Sequence, residues 1–366
     1  MNPDGTRKIV IIAGDTSGDL YGGLLAKKLK EKYSSLEIDS FGGPALAEHS
    51  QQIVNLLAHS VSGLVEVISS LKGIFAIFNQ AYEHIEKVKP DLVILIDFPD
   101  FNLRLAKKIN KKYPVFYYVS PQVWAWREKR VNLIKKFIDQ IIVIFKFEKD
   151  FYQTKNIDAL YFGHPLLEII ERPENSKTKN IISFMPGSRK NEVKKHLPVM
   201  SEAKKIIEKQ LPGYQFQIIK PESLSQEFYR QFSPDMDIVN HSYLALAESK
   251  FIIASSGTAT VEIAILEVPY LIIYKVNPLT WHILKKLVKT KFIGMVNILS
   301  KEKIVDELLQ NEASSNKIAK ATFSYLTNDQ KCNQLKEKLK KVKETLSPYG
   351  ASEKFAEYIG KYLKLN

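Results

Sequence analysis

A short run of uninterrupted apolar residues that ends in a carboxylate constrains this chain most. In DLVILIDFPDFN, Asp91 to Asn102, the five residues Leu92 to Ile96 are all branched aliphatics. They are too few for an ordinary helix and too uniformly apolar for a half-exposed strand. The run therefore predicts a strand covered on both faces, as in parallel sheets. Ligands of open α/β sheets bind beyond the carboxyl ends of the strands. Asp97 stands at such an end and is the first candidate for a catalytic base, whereas Asp100, just ahead of Phe101, suits a helix N-cap.

The neighbouring segments extend the pattern. KIVIIAG (Lys8 to Gly14) reads as a buried first strand, and the turn GDTSGD leads into an amphipathic helix. Ser17, Gly18 and Asp19 in that turn are either helix caps or part of an acceptor or anion loop, because a turn at a helix N-terminus presents free N–H groups. The spacing is not G-x-G-x-x-G, so no dinucleotide fingerprint is read here. In SVSGLVEVISSLKGIFAIF, Leu64, Ile68, Leu71, Phe75 and Phe78 recur at helical spacing, and the face they form is broader than one core contact needs. Such a face suits a core, acyl chains or a membrane interface. After the Asp97 strand come further strand and helix signals, and PQVWAWREKR, whose two tryptophans and basic residues suit either a sugar phosphate or a buried amphipathic turn. Strands alternating with helices predict a doubly wound sheet.

A second α/β region begins near residue 180. NIISFMPGSRKNEV is strand, turn and helix start, and the Arg189 guanidinium beside helix N–H groups suits a diphosphate. FIIASSGTATVE ends a strand in Ser256, Gly257 and Thr258 before a helix carrying Glu262, a carboxylate placed to grip a ribose diol. The remainder reads as helical, including a helix over Lys301 to Gln310 and a long basic helix from about Asp329 to Leu346. The expected domains are 1–165 and 180–349 with a linker over 166–179, and the last helix, 350–366, is a candidate to pack on the first domain.

A single cysteine among 366 residues rules out an internal disulfide, and seven scattered histidines give no metal-ligand spacing. No apolar run is long enough to span a bilayer and no secretory signal is read, so a cytoplasmic location is expected. The formal charge of +13 asks for an anionic partner: a phosphorylated substrate, an anionic membrane surface or, weakest in the absence of any recognisable motif, nucleic acid.

Taken in order, AGDTSGD, SGLVEV, KPDLVILIDFPDFN, YYVSPQVWAWREKR, FGHP, MPGSR, ASSGTATVE and KFIGMVNIL resemble the bacterial lipid-A-disaccharide synthase family nearly end to end. The resemblance implies an inverting glycosyltransferase of GT-B architecture, with two Rossmann-like doubly wound domains facing across a cleft and a helical C-terminus. Its substrates would be UDP-2,3-diacylglucosamine and 2,3-diacylglucosamine 1-phosphate. Asp97 would be the general base, and Arg189, Ser256, Gly257, Thr258, Glu262 and Asn297 would bind the nucleotide. No cofactor and no metal are implied, the UDP-sugar being a substrate, and the enzyme would work peripherally on the cytoplasmic face of the inner membrane. Asp15 stands where the family usually has glutamate, Ser62 replaces a usual methionine, and Val296 stands where proline is common. Another UDP-sugar GT-B transferase or epimerase with a non-lipid substrate is the competing reading; it leaves the Leu64 to Phe78 face unexplained.

Overall fold

The structure is a computed structural model, and the residues described are 7–59, 67–174 and 176–365. Seven strands form the first sheet: β1 (Lys8–Ala13), β2 (Glu37–Gly42), β3 (Gln51–Asn55), β4 (Leu92–Ile96), β5 (Val115–Tyr118), β6 (Gln140–Val143) and β7 (Ala159–Tyr161). Their order is β3-β2-β1-β4-β5-β6-β7, and every pairing is parallel. Leu92 to Ile96 are all fully buried, as the unbroken aliphatic run requires of a central strand. Burying each such side chain contributes roughly 1.5–3 kcal/mol, which is why this strand is central and not at an edge.

The second sheet has six strands: β8 (Ile181–Met185), β9 (Gln215–Lys220), β10 (Asp237–Asn240), β11 (Phe251–Ser255), β12 (Tyr270–Tyr274) and β13 (Glu307–Leu309). Its order is β10-β9-β8-β11-β12-β13, again all parallel. In both sheets the chain winds outward on one side, then returns to the middle and winds outward on the other. The reversal falls between β1 and β4 in the first sheet and between β8 and β11 in the second. At such a switch point the loops leave in opposite directions and open a crevice.

The chain divides into one compact unit of Met1–Glu168 with Leu346–Asn366, and another of Ile169–Thr345. The return to the first unit is fixed at the Leu346 carbonyl, which accepts from the backbone His164 N and from the Tyr161 side-chain hydroxyl, each at 2.9 Å. The last helix, Ala351–Leu363, then packs on the helix Thr16–Lys32.

One expected element changes type. Lys301 to Gln310 has a helical apolar pattern but holds the edge strand β13, paired with β12 through Ile272 and Glu307. The Asn297 side chain takes the N–H groups of Ile304 and Val305, both at 2.9 Å, which diverts them from helix bonds. A side chain that offers the backbone an alternative partner defeats periodicity.

Candidate active site

At the first switch point β1 and β4 run in register, Ala13 beside Ile96, so the residues after them emerge side by side. Asp97 and Phe98 both adopt left-handed backbone, with φ of 44° and 46°. This conformation is uncommon for residues with a side chain and persists only where neighbours over-determine it. The neighbours are present. Asp97 N donates to Tyr118 O at 3.0 Å, and its carbonyl accepts from Asn102 Nδ2 at 2.8 Å and the Tyr117 hydroxyl at 2.5 Å. Asn102 is fully buried and also holds Ile96 O at 3.1 Å, so the strand end is clamped from behind. The Phe98 ring lies over Gly14, where an added Cβ would come within 2.1 Å of it; only glycine fits there.

Burial pushes the Asp97 carboxyl well above the usual carboxylate range, and the charge and hydrogen bond of Asp15 push it further, against the pull of the Phe98 amide. A carboxylate made proton-hungry in this way is better matched to general-base work near neutral pH.

Asp100 is differently placed. The helix begins at Pro99, so Asp100 falls in its first turn and does not cap it; the cap position is Phe98. Its exposed carboxylate is engaged by Arg127 at 3.2 Å and by Arg130. Two guanidiniums therefore occupy this carboxylate.

The turn after β1 also departs from an anion seat. Asp15, not Ser17 or Asp19, caps the helix, accepting from Gly18 N at 2.6 Å. Asp19 is buried, and its carboxylate takes the amides of Gly43, Ala45 and Leu46 at 2.6, 3.0 and 3.3 Å. The turn thus presents negative charge with the Gly18 amide already spent, which disfavours a phosphate there. Trp124 donates to the buried Glu148 at 3.0 Å, and burial raises that carboxyl to about 7. The second ring of the motif, Trp126, carries the Arg127 guanidinium on its face at 4.3 Å.

At the second switch point, the loops after β8 and β11 leave adjacent strand ends, Met185 beside Ala254. Gly187 has φ of 120°, and an added Cβ would lie 2.4 Å from the Glu192 carboxylate, so the turn requires glycine. Glu192 reaches back to the amides of Ser188 and Arg189 at 3.1 and 3.4 Å. The Arg189 side chain is 82% exposed and makes a 3.2 Å ion pair with Glu192. Buried His196 fastens the loop from below, with Nδ1 bonded to Pro186 O at 2.7 Å and Nε2 accepting from Lys275 N at 2.9 Å.

Ser256 donates to Ile293 O at 3.2 Å, tying the strand end to the segment 293–297. Gly257 opens onto free space, and Thr258 precedes the helix Ala259–Ile265. Glu262 meets His241 at 2.8 Å, and this bond and charge outweigh burial to raise the imidazole above its ordinary value. Asn297 does not face a ligand. It is fully buried, and beyond its two accepted amides its Nδ2 donates to Val305 O and Glu307, each at 2.8 Å. Glu307 in turn holds the amides of Ile293 and Gly294, both at 3.0 Å. Asn297 and Glu307 therefore shape the loop beside Ser256, and the Asn297 side chain has no bonding capacity left for a nucleotide. Nothing local in the sequence marks Glu192, His196, His241 or Glu307, since Arg189 is not one of the capping residues whose spacing to a glutamate signals a helix start.

Of the apolar face, Leu64 lies outside the described residues, and Ile68 and Leu71 fall in the helix Val67–Val88. Phe75 is 65% exposed and stacks on the half-buried Phe78, whose ring meets Phe101 edge-on at 5.4 Å. Among the described residues there is no helix long and apolar enough to cross a membrane, and no cluster of three or more residues suited to a metal.

Two parallel-sheet Rossmann-like units with a helical C-terminus define the GT-B class of glycosyltransferases and related enzymes. The fold matches the S. aureus MnaA–UDP co-structure with a TM-score of 0.70 at 12% identity, covering 98% of each chain. It also matches the calicheamicin glycosyltransferase CalG4, with a TM-score of 0.59 at 13% identity over 98% of each chain. Sequence narrows the class. A family model described as lipid-A-disaccharide synthetase matches residues 9–359. The lipid-A-disaccharide synthase of Coxiella burnetii (strain RSA 331) is 36% identical over 368 residues, 96% of this chain and 98% of the relative. The chain belongs to the lipid-A-disaccharide synthase family and is a glycosyltransferase.

Proposed function

We propose that the chain transfers 2,3-diacylglucosamine from its UDP derivative to the 6-hydroxyl of 2,3-diacylglucosamine 1-phosphate, giving the β-1,6 disaccharide 1-phosphate and UDP. The observation that carries this reading is the proton-hungry Asp97 carboxylate at the end of β4, within a family match that runs through residues 9–359. Asp97 takes the hydroxyl proton as the oxygen bonds to the anomeric carbon. The bond from that carbon to the diphosphate breaks on the opposite face, so the configuration inverts. Arg189, exposed on the β8 loop, supplies the charge that steadies the departing diphosphate; a guanidinium suits phosphate oxygens. To do so it exchanges its Glu192 partner for the phosphate. Ser256, Gly257 and Thr258 line the nucleotide's seat and Glu262 grips the ribose, with His241 orienting its carboxylate.

The acyl chains need an apolar landing place, and the exposed Phe75 ring stacked on Phe78 supplies one. Together with the net positive charge this supports peripheral attachment to an anionic leaflet, since stable attachment takes two signals. The work is done on the cytoplasmic face of the inner membrane, with no cofactor and no metal. The test is direct: purified protein is incubated with both acylated sugars, and the lipid product is read by mass and anomeric configuration. A β-linked disaccharide phosphate is expected. Turnover of a non-acylated acceptor in preference would favour the soluble-substrate reading.

A further inference from the structure

The segment PQVWAWREKR ends beside the Asp97 turn. Its Arg127 and Arg130 guanidiniums converge on the carboxylate of Asp100, which lies three residues beyond Asp97 in the first turn of the helix Pro99–Ile109. Three residues span at most about 11 Å, so the carboxylate they hold is anchored close to the proposed base. Tyr117 joins the two places: its hydroxyl donates to Asp97 O at 2.5 Å and also feels the Arg130 charge.

A surface ion pair alone does not account for this arrangement. Arg127 is held in left-handed backbone with φ of 54°, and an exposed ion pair contributes less than that conformation costs a residue with a side chain. The hold on Asp100 is also incomplete. It uses only Nη1 of Arg127, at 3.2 and 3.3 Å from the two oxygens, and Nη2 of Arg130, where a paired fork would use two nitrogens of one guanidinium. Among the described residues Asp100 is the only carboxylate on either arginine, and Glu128 between them pairs with Lys155 at 2.5 Å. Two positive charges thus face one negative charge, with N–H groups to spare. The Trp126 ring lies 4.3 Å from the Arg127 guanidinium and steadies its face, which leaves its edges for hydrogen bonds. The Arg130 side chain is only 15% exposed, so packing sets its direction.

We propose that Arg127 and Arg130 form the seat for the acceptor's 1-phosphate and set the preference for a phosphorylated acceptor sugar. This rests on the proposed transfer, with Asp97 as its base. In a hexose 1-phosphate, the phosphate and the 6-hydroxymethyl group sit on the two carbons that flank the ring oxygen, so both lie on one edge of the ring. A phosphate at the arginines therefore leaves the 6-hydroxyl within a sugar's reach of Asp97. The phosphate takes the N–H edges that Asp100 leaves open, a match of planar donors to phosphate oxygens. Asp100 keeps the two guanidiniums turned to one point.

The experiment compares 2,3-diacylglucosamine 1-phosphate with the same diacylated sugar lacking the phosphate, as acceptors for the wild type and for a protein carrying both Arg127→Gln and Arg130→Gln. The wild type is expected to favour the phosphorylated acceptor by about tenfold or more in kcat/KM, the scale of a charge-assisted contact. The doubly substituted protein is expected to lose that preference through a raised acceptor KM, with KM for the UDP-sugar and UDP affinity by calorimetry unchanged. A purely structural role would lower turnover of both acceptors alike, so a preference that survives the double substitution overturns the proposal. So does a UDP affinity that falls with it. Should the double substitution prevent folding, Arg127→Gln alone, at a half-exposed side chain, is expected to narrow the preference, and an unaltered preference overturns the proposal. Wild-type transfer that ignores the phosphate overturns the seat alone. No wild-type transfer to either acceptor overturns the reading of the reaction, and the seat with it.

Discussion

Asp97 and Glu148 are carboxyls driven upward mainly by burial, yet they have different consequences. Asp97 sits at a strand end open to chemistry; Glu148 is 1% exposed and braces Trp124. Its raised value, about 7, makes Glu148 a stability term. The native protein keeps the proton on Glu148 at pH values where the unfolded chain has already lost it, so its contribution is fully present below about pH 4.5 and lost as pH rises through about 7. Chemical denaturation at pH 5 and pH 8 should therefore show wild-type stability falling relative to Glu148→Gln by up to about 3 kcal/mol. A difference that does not change between the two pH values would show that Glu148 titrates normally. Asn297 offers a second check at this scale. Truncation to alanine strands the amides of Ile304 and Val305, at a cost of at least about 2 kcal/mol, and should raise KM for the UDP-sugar more than it lowers kcat. An unchanged KM would mean that the 293–297 loop does not shape the nucleotide's seat.

Among the elements, those defined by burial were legible. Leu92–Ile96 and Lys8–Ala13 carry their apolar character in unbroken runs, because a central parallel strand buries both faces, and Asp97 followed as the residue at the carboxyl end. Elements defined by side-chain capture of the backbone were not. The Lys301 to Gln310 pattern is helical in spacing, and nothing local reveals that Asn297 takes two of its amides and that β12 takes its end as β13. The same limit hid the neighbourhood of the Asp97 turn: the end of β1 lies more than eighty positions earlier in the chain, and only the β1 to β4 adjacency brings the two strand ends together. The role given to Asn297 by family likeness likewise becomes that of a loop brace, since burial spends all its bonds. Element geometry also makes a prediction at Gly14. Gly14→Ala should displace Phe98 and with it the left-handed turn at Asp97, lowering kcat while leaving UDP affinity intact. Normal turnover would show that the strand end tolerates the added methyl.

For the whole molecule, the proposed membrane attachment would draw on the formal charge of +13 and the exposed Phe75 together, since one interfacial signal alone binds a membrane only marginally. Sedimentation with anionic vesicles should show binding at low salt that weakens as salt rises, with Phe75→Ser weaker at every salt concentration. No binding to anionic vesicles at low salt would remove the membrane from the account. The proposed transfer divides the work between the two units: Asp97 of the first would accept the proton, and Arg189 and the Ser256 to Glu262 region of the second would bind the nucleotide. Its most direct test compares Asp97→Asn with wild type in kcat and in UDP affinity by calorimetry. The account predicts a kcat lower by about 100-fold or more with UDP affinity unchanged. Undiminished turnover, or a loss confined to UDP binding, would contradict it.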